Sequence, residues 1–295
     1  MPLITICIPT LNRPKFLEEA ILSCTDDLSI ANDIEICISN NCSEEDYRNI
    51  NELIFNKKSE FNIHYIEQRE RLSLDEHMLY VTKMATSEYV FYLGDDDYIL
   101  KDELVKIIEL VKLEEPELII FNGKIVDKDS NTIGRHFTLK PKIYHDIDSI
   151  FDDLRDKGSF GSVIVRKSLL DEKFYKVMVG TSHAYGCFWL SLLWNASTGK
   201  SDKSMIPDFP GVGLRAAEKS YSHIEVYFSH ILYSMAIFRR FSPKGHSQLL
   251  LDKFENKYYR NLFSLRHLLS LLDHGCFLRE IKEHRIRLYN KLYFK

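Results

Sequence analysis

The sequence lacks long apolar runs, paired cysteines and a basic leader. No apolar run approaches the roughly 18 residues that a membrane-spanning helix needs, so we predict no transmembrane segment. The N-terminus, MPLITICIPTLNR, has no basic region ahead of its apolar run and reaches Pro9 too early for a signal peptide. The 6 cysteines are scattered without a C-x-x-C pair, which argues against zinc and a disulfide framework and favours buried thiols in a reducing cytoplasm.

The composition is that of an ordinary globular protein. The 295 residues are 45% apolar and 28% charged, and this length allows one extended domain or two. The formal net charge of −4 is unevenly spread, because residues 239–295 carry 13 Lys or Arg against 5 Asp or Glu. A basic C-terminal region suits an anionic surface, and a solvated helical face is the alternative.

Strand and helix patterns alternate over the first 121 residues. Short runs rich in β-branched residues predict strands, and apolar residues at helical spacing predict helices between them. Short links join these elements, which predicts an α/β fold with a mostly parallel sheet flanked by helices. The predicted strands are 3–9, 34–39, 62–66, 89–93 and 118–121, and the predicted helices begin at Pro14, span 74–85 and include Leu104 to Val111.

Beyond residue 125 the pattern is mixed. Residues 161–166 predict a strand, residues 184–197 predict a buried helix, and the chain from residue 221 onward has a long helical pattern. We therefore expect a globular domain over residues 1–220 and a helical C-terminal extension over residues 221–295.

Polar clusters follow three of the predicted strands. They are Pro9-Thr10, Asn40-Asn41 and the acidic triplet Asp95-Asp96-Asp97. In open parallel sheets the ligand-binding crevice lies beyond the carboxyl ends of the strands. The sequence thus predicts that the three clusters face one crevice.

The acidic triplet is the most informative of these clusters. Carboxylates about 4 Å apart repel by about 4 kcal/mol at an effective dielectric near 20, so the cluster requires full solvation or a shared cation. Its oxygen ligands suit Mg²⁺ or Mn²⁺, and Gly94 permits close approach of the backbone to a ligand. A solvated turn or a helix cap is the alternative.

Three ordered motifs carry a resemblance to a known family. IPTLNR, then SNNCSEED, then LDEHMLYVTKMATSEYVFYLGDDD resemble the nucleotide-diphospho-sugar transferases of glycosyltransferase family 2, which have the Rossmann-like GT-A fold. The likeness is greatest to bacterial members that decorate surface polysaccharides. It covers residues 3–125 well and the rest loosely. It implies a nucleotide-sugar-binding half over residues 1–125 and an acceptor half over residues 126–220.

The resemblance also assigns roles at the three strand ends. Asn41 falls where many members place an Asp against the nucleotide base, so the base is left open. Asp95 would contact the ribose side, Asp96 would bind the metal, and Asp97 would lie beside it as a further ligand and catalytic residue. The residues implied to line the nucleoside pocket are Pro9, Thr10, Asn12 and Arg13.

Two residues further along the chain match the family more loosely. Asp75, in LSLDEHM, would face the nucleotide, and the alternative is an acidic residue that supports the helix dipole. Arg215, in GVGLRAAEKSY, would clamp a donor phosphate, and a surface arginine is the alternative.

The general base departs from the family pattern. Members usually carry an acid some distance beyond the metal motif, whereas VGTSHAY at residues 179–185 contains none. His183 is the nearest titratable group there, and an ordinary pKa near 6.5 suits a base at neutral pH. Asp152, Asp153 and Asp208 are the alternatives.

These patterns together predict a metal-dependent, inverting glycosyltransferase that acts in bacterial surface-polysaccharide synthesis. The resemblance implies a nucleotide-sugar donor, with UDP favoured, a glycan or lipid-linked acceptor, and no nucleic acid. A sugar nucleotidyltransferase and a non-catalytic glycan-binding relative are the rivals, although IPTLNRPK lacks the glycines of a nucleotidyltransferase phosphate loop. Residues 275–295 mix basic and apolar side chains, which predicts either peripheral binding to the inner membrane face or packing, including packing in a homo-oligomer.

Overall fold

A computed structural model describes residues 1–155, 157–200, 202–216 and 234–262. Eight strands form the main sheet, in the order β3-β2-β1-β4-β10-β6-β11-β9. Four of them run parallel side by side, which confirms the predicted nucleotide-side sheet. These strands are β1 (Ile4–Thr10), β2 (Ile34–Asn40), β3 (Asn62–Glu67) and β4 (Tyr89–Tyr92).

The second half of the chain extends the same sheet. Strand β10 (Val163–Arg166) lies antiparallel between β4 and β6 (Leu118–Ile120). Strand β11 (Ser204–Ile206) is parallel to β6 and pairs on its other side with antiparallel β9 (Lys142–Tyr144). The predicted donor and acceptor halves therefore share one sheet, which fixes their relative position.

A second sheet of four strands was absent from the sequence prediction. Its order is β5-β12-β7-β8, and its strands contain only two to four residues. Such short strands carry no measurable alternation of apolar and polar residues, so local patterning does not reveal them. They are β5 (Tyr98–Ile99), β7 (Lys124–Val126), β8 (Thr132–Arg135) and β12 (Val212–Arg215).

Helices cover both faces of the main sheet and create two apolar cores. Helices α1, α2 and α4 pack on the face that carries Ile4, Ile6 and Ile8. Helices α3 and α5 to α9 pack on the face that carries Cys7 and Tyr92. The helices are α1 (Pro14–Cys24), α2 (Arg48–Lys57), α3 (Leu74–Met84), α4 (Glu103–Glu114), α5 (Ile147–Leu154), α6 (Glu172–Met178), α7 (Phe188–Ser197), α8 (Ser234–Phe241) and α9 (His246–Leu262).

Several local expectations can be compared with this architecture. The five predicted strands of the first 121 residues are all present, with ends shifted by one residue or so. The predicted helix at 184–197 begins as a 3-10 turn at Ala184–Cys187 and continues as α7. Cys7, Cys24, Cys37 and Cys187 are buried free thiols. Among the described residues, no helix has the length and apolarity required to cross a bilayer.

The C-terminal predictions fall largely outside the described residues. Only α8 and α9 of the predicted extension over residues 221–295 are described, and residues 263–295, which include the basic segment 275–295, lie outside. The domain boundary at residue 220 lies within the undescribed residues 217–233 and stays a prediction.

Candidate active site

The carboxyl ends of β1, β2 and β4 meet at one edge of the main sheet, as the sequence predicted. The backbone N–H of Leu11, just past β1, donates to Asp95 Oδ2 at 3.2 Å. Arg13 Nη1 donates to Asp95 Oδ1 at 3.3 Å and to Asp96 Oδ2 at 2.7 Å. The first motif and the acidic motif are therefore in direct contact across 82 or more residues of chain.

Asp95 is buried, and both of its carboxylate oxygens accept hydrogen bonds. Burial, reinforced by the neighbouring Asp96 carboxylate, raises the pKa of Asp95 to about 6, while Arg13, Thr10 and the Leu11 N–H act in the opposite direction. Asp95 thus joins the loop after β1 to the loop after β4 through both of its carboxylate oxygens.

Asp97 is enclosed by the protein rather than turned outward. Its Oδ1 accepts the backbone N–H of Arg215 at 2.9 Å. Its Oδ2 faces Gly161 so closely that an added Cβ there would lie 2.5 Å from it. Burial, followed by the nearby Asp96 charge, raises the pKa of Asp97 to about 8. The predicted roles of Asp97 as a metal ligand and catalytic residue stay predictions.

Arg215, which was predicted to clamp a donor phosphate, is enclosed by the protein. Its side chain is 2% exposed and stands between the rings of Phe16 and Tyr98. A guanidinium has five N–H donors, and in this structure all five have acceptors within the chain. Those acceptors are the carbonyls of Asp96, Asp127 and Lys128, the hydroxyl of Ser130 and a carboxylate oxygen of Glu19. Arg215 is thus a structural clamp on the acidic loop, and its predicted contact with a phosphate stays a prediction.

The acidic loop offers carboxylate oxygens to a divalent metal. The described residues contain no group of three or more His, Cys, Asp or Glu side chains arranged to hold one. Asp96 is more accessible than its neighbours, with 19% of its side chain exposed against 10% for Asp95. Mg²⁺ commonly binds one or two carboxylates and completes its shell with substrate phosphates and water. The loop fits a metal of that kind, held mainly by Asp96, and does not fit a cage of three carboxylates.

The predicted nucleoside residues shape the loops around this edge. Thr10 Oγ1 and Tyr47 OH are hydrogen-bonded at 2.9 Å, and Tyr47 OH also accepts the Arg13 backbone N–H at 3.2 Å. Asn12 has a left-handed backbone with φ of 56°, and its Oδ1 accepts the N–H of Glu44 at 2.8 Å. Pro9 lies in β1 itself. Sequence reasoning missed Tyr47, because it stands outside the three motifs and its partners are distant in the chain.

Asn41 is buried and uses its amide on the backbone. Its Oδ1 accepts the Leu72 N–H at 2.9 Å, and its Nδ2 donates to the Leu72 carbonyl at 3.0 Å. The side chain therefore fixes the loop that precedes α3. Its predicted contact with the nucleotide base stays a prediction.

Asp75 also has protein partners, and its predicted contact with the nucleotide stays a prediction. It is 4% exposed at the start of α3. Its Oδ2 accepts the N–H groups of Gly180 at 2.8 Å and Ser182 at 3.0 Å, and its Oδ1 accepts that of Ala184 at 3.0 Å. The carboxylate is thus directed into the loop that carries His183.

His183 lies in that loop, beside a small cavity of about 10 Å³ lined by Arg155, Tyr185 and Trp189. Its Nδ1 is 3.2 Å from the Thr181 carbonyl, which can only accept, so Nδ1 carries the proton and Nε2 carries the lone pair. Burial lowers the pKa of His183, partly offset by the Thr181 hydrogen bond and the Asp75 charge. This is the tautomer that a general base requires at neutral pH.

Aromatic rings in tilted and edge-to-face contact join the His183 loop to the acidic loop. The ring of His183 is 5.9 Å from that of Tyr185, which in turn lies 5.7 Å from Tyr92 and 5.5 Å from Phe160. Tyr92 ends β4 just before the acidic loop, and Phe160 precedes Gly161, the neighbour of Asp97. A chain of packed aromatic rings therefore connects the His183 loop to the acidic loop through the core.

The three acidic alternatives for the base lie elsewhere. Asp152 and Asp153, on α5, form ion pairs with Lys253 and Lys142 respectively. Asp208 is an exposed residue of the link between β11 and β12. None of them has a described hydrogen bond or ion pair to the acidic loop or to the loop of His183.

Comparison with known proteins identifies the family. The family model described as Glycosyl transferase family 2 matches residues 5–172, which is more than half of the chain. The chain belongs to glycosyl transferase family 2. The match includes all three motifs and the Gly161 loop. The membership predicted from the sequence is thereby confirmed.

Two curated relatives of this family 2 protein are bacterial. The abequosyltransferase RfbV of Salmonella typhimurium is 36% identical over 104 residues, covering 35% of this chain and 30% of that protein. The GalNAc(5)-diNAcBac-PP-undecaprenol beta-1,3-glucosyltransferase of Campylobacter jejuni is 28% identical over 176 residues, covering 59% and 54%. The alignments thus span between a third and about half of the relatives' lengths.

Solved structures confirm the predicted fold. Staphylococcus aureus TarS 1-349 in complex with UDP superposes with a TM-score of 0.65 at 14% identity, covering 91% of this chain and 75% of that one. The same TarS fragment in complex with UDP-GlcNAc gives a TM-score of 0.65 at 15% identity. At such low identity the likeness concerns the fold alone.

Proposed function

We propose that this family 2 protein transfers a sugar from a nucleotide-diphospho-sugar to a glycan or lipid-linked acceptor in bacterial surface-polysaccharide synthesis. The observation that carries the proposal is the meeting of the β1, β2 and β4 ends, with Arg13, Asn41 and Asp96 at one edge. The names of the two curated relatives and the UDP complexes of TarS support the donor class. UDP is the favoured nucleotide.

Asp96 is the residue that would hold Mg²⁺ or Mn²⁺, and the metal would supply charge stabilisation on the departing diphosphate. The side chain of Arg13, one third of which is exposed, lies against Asp95 and Asp96 and offers a second positive charge to the same phosphates. Asp97 and Arg215 do not contact the donor in this proposal. They hold the acidic loop in its conformation.

His183 is the proposed general base. Its Nε2 would accept the proton of the acceptor hydroxyl while that oxygen bonds to the anomeric carbon. The bond from the anomeric carbon to the diphosphate oxygen breaks, and the nucleoside diphosphate leaves with the electron pair. Attack opposite the leaving group inverts the anomeric configuration.

Product analysis separates this function from its rivals. With UDP-sugars, an acceptor extract and Mn²⁺ or Mg²⁺, a glycosyltransferase releases UDP, a sugar nucleotidyltransferase releases or consumes pyrophosphate, and a glycan-binding protein releases neither. We expect UDP release that requires the metal and falls at least about a hundredfold in Asp96→Ala. The exposed Asp129→Ala is the matched control. Pyrophosphate as the product, or near wild-type turnover in Asp96→Ala, contradicts the proposal.

A further inference from the structure

Four hydrogen bonds from a single stretch of the acceptor half converge on Asp75. The backbone N–H groups of Gly180, Ser182 and Ala184 donate to its carboxylate at 2.8 to 3.0 Å. The hydroxyl of Tyr175, on α6, donates to its carbonyl at 3.0 Å. Bonds from N–H groups to an ionised carboxylate are about twice as strong as neutral ones, so Asp75 is a strong anchor.

The helix itself does not need this carboxylate. Ser73 caps α3 in a capping box, in which Ser73 Oγ accepts the Glu76 N–H and Glu76 Oε2 accepts the Ser73 N–H. Ser73 and Glu76 therefore cap the N-terminus of α3 without the Asp75 carboxylate. Both carboxylate oxygens of Asp75 instead accept hydrogen bonds from a loop that lies more than 100 residues further along the chain.

The loop that Asp75 holds has an unusual backbone. Gly180 has a φ of 94° and Ser182 a φ of 60°, and the second is a conformation that residues with a side chain rarely adopt. Backbone that alternates between right-handed and left-handed or turn conformations can direct its N–H groups at one anion. The carboxylate thus stabilises the conformation that presents His183, which lies between two of the anchored residues.

The opposite end of the same segment is tied to the donor side. The Asn41 amide binds both backbone groups of Leu72, two residues before the start of α3. Residues 72–75 therefore connect the end of β2 to the His183 loop. Hydrogen bonds hold this segment at both ends, through Leu72 and through Asp75.

We propose that Asp75 is a positioning residue that fixes His183 relative to the donor pocket. It acts through the amides of Gly180, Ser182 and Ala184 and does not contact the substrate. This inference rests on the proposed function, in which His183 is the general base.

Amide hydrogen exchange tests the anchor without any substrate. Asp75→Asn preserves the shape but removes the charge and replaces one acceptor oxygen with an N–H donor. We expect faster exchange across residues 179–185 in Asp75→Asn, with β1 and β2 unchanged. Glu76→Gln is the matched control, since it makes the same change of charge one residue along and leaves the loop alone. Equal exchange in both variants would overturn the proposal.

Kinetics test whether the anchor serves His183. We expect Asp75→Asn to lower kcat by about tenfold to a hundredfold, as a displaced catalytic group does, with the donor KM changed less than about threefold. Glu76→Gln should retain the wild-type kcat. The acid limb of the pH profile should also move to lower pH. The Asp75 charge favours charged His183 while Arg155 opposes it, so loss of the Asp75 charge lowers the pKa of His183. The ring of Tyr185 also lies beside His183.

The double variant with His183→Ala decides the route of the effect. If Asp75 acts through His183, Asp75→Asn costs no further rate once His183 is absent. A full additional loss in the double variant, or wild-type kcat in Asp75→Asn, refutes positioning of His183. Failure of the proposed function has a different signature: the wild-type protein turns over no nucleotide-sugar, and the exchange measurement still decides whether Asp75 holds the loop.

Discussion

The buried carboxyl of Asp97 links protonation to folding. Its pKa rises from an ordinary value near 4 to about 8 on burial, so the folded protein holds this proton more tightly than the unfolded chain does. A raised folded-state pKa contributes stability below about pH 4, and that contribution is lost as the pH rises toward 8. Stability at the acidic loop is therefore lower in alkaline solution.

Asp97→Asn should remove this dependence. Asparagine keeps the acceptor for the Arg215 N–H and carries no charge. We therefore expect the variant to gain free energy of unfolding over wild type as the pH rises, with a gain at pH 9 that exceeds the gain at pH 5 by about 2 kcal/mol. Urea unfolding at the two pH values measures it. The exposed Asp129→Asn is the control and should show no such change. A pH-independent difference between Asp97→Asn and wild type would contradict the linkage.

His183 makes a prediction for the pH dependence of activity. Burial lowers its pKa from 6.5, and a base must be neutral to accept a proton. We expect kcat/KM to fall on the acid side with a midpoint below 6.5, and His183→Ala to lose that limb together with about 10² to 10⁴ of the rate. An unchanged acid limb in His183→Ala would transfer the role to another group.

At the scale of secondary-structure elements, Arg215 joins four parts of the fold. From β12 it reaches the acidic loop, the turn between β7 and β8, and Glu19 on α1. Each of these contacts lies at least 85 residues away in the chain. The second sheet is thus fastened to the carboxyl edge of the first by one buried side chain.

Arg215→Lys should therefore destabilise the protein although the charge is kept. Lysine supplies three donors on one nitrogen and leaves buried acceptors unpaired, which costs about 2 kcal/mol or more in the free energy of unfolding. Arg48→Lys is the control, because Arg48 and its partner Asp46 are both exposed and surface pairs of this kind contribute little to stability. Equal losses for the two variants, measured by urea unfolding, would show that Arg215 is not a clamp.

The loop between α5 and β10 is packed against the acidic loop at Gly161. This glycine has a φ of 84°, and an added Cβ would lie 2.5 Å from Asp97 Oδ2 and 2.8 Å from Leu214 Cδ2. Gly199 has a similar φ of 79° with no atom within 4 Å of an added Cβ. Substitution of Gly199 thus tests backbone strain alone, whereas substitution of Gly161 tests strain together with crowding.

Alanine at these two glycines should give unequal losses. Gly199→Ala carries only the left-handed backbone penalty of about 1 kcal/mol. Gly161→Ala adds overpacking of about 1 to 3 kcal/mol and displaces the Asp97 carboxyl, so donor turnover should fall as well. Urea unfolding and UDP release measure the two effects. Equal losses of stability would show that Asp97 and Leu214 move aside for the added Cβ at no cost in free energy.

At the scale of the whole molecule, the basic segment 275–295 lies outside the described residues, and its role stays a prediction from sequence. If it forms an interfacial helix, the full-length protein should co-sediment with anionic vesicles, less so with added salt, because each basic residue near the surface contributes about 1 kcal/mol. Deletion of residues 275–295 should abolish the binding, and neutral vesicles are the control. Protein that stays in the supernatant at low salt would favour packing, in the monomer or in a homo-oligomer.

Local patterning was sufficient for the core of the fold. The β1, β2 and β4 strands are short apolar runs that are buried on both faces, and their ends place the polar motifs at one edge. The pairing of Arg13 with the acidic triplet follows from that topology, because the carboxyl ends of parallel strands meet. The family resemblance, carried by contiguous motifs, was also determined at this level.

Tertiary structure alone decided what Asp75, Asp97 and Arg215 contact. For each of them a ligand contact, a cap and a solvated surface are compatible with the neighbouring residues in the sequence. Their partners lie 85 or more residues away, so burial and hydrogen bonding became defined only when the two halves of the sheet closed. A buried charge must be satisfied by whatever the fold places beside it, and for these three residues the fold places mainly backbone groups of the protein there.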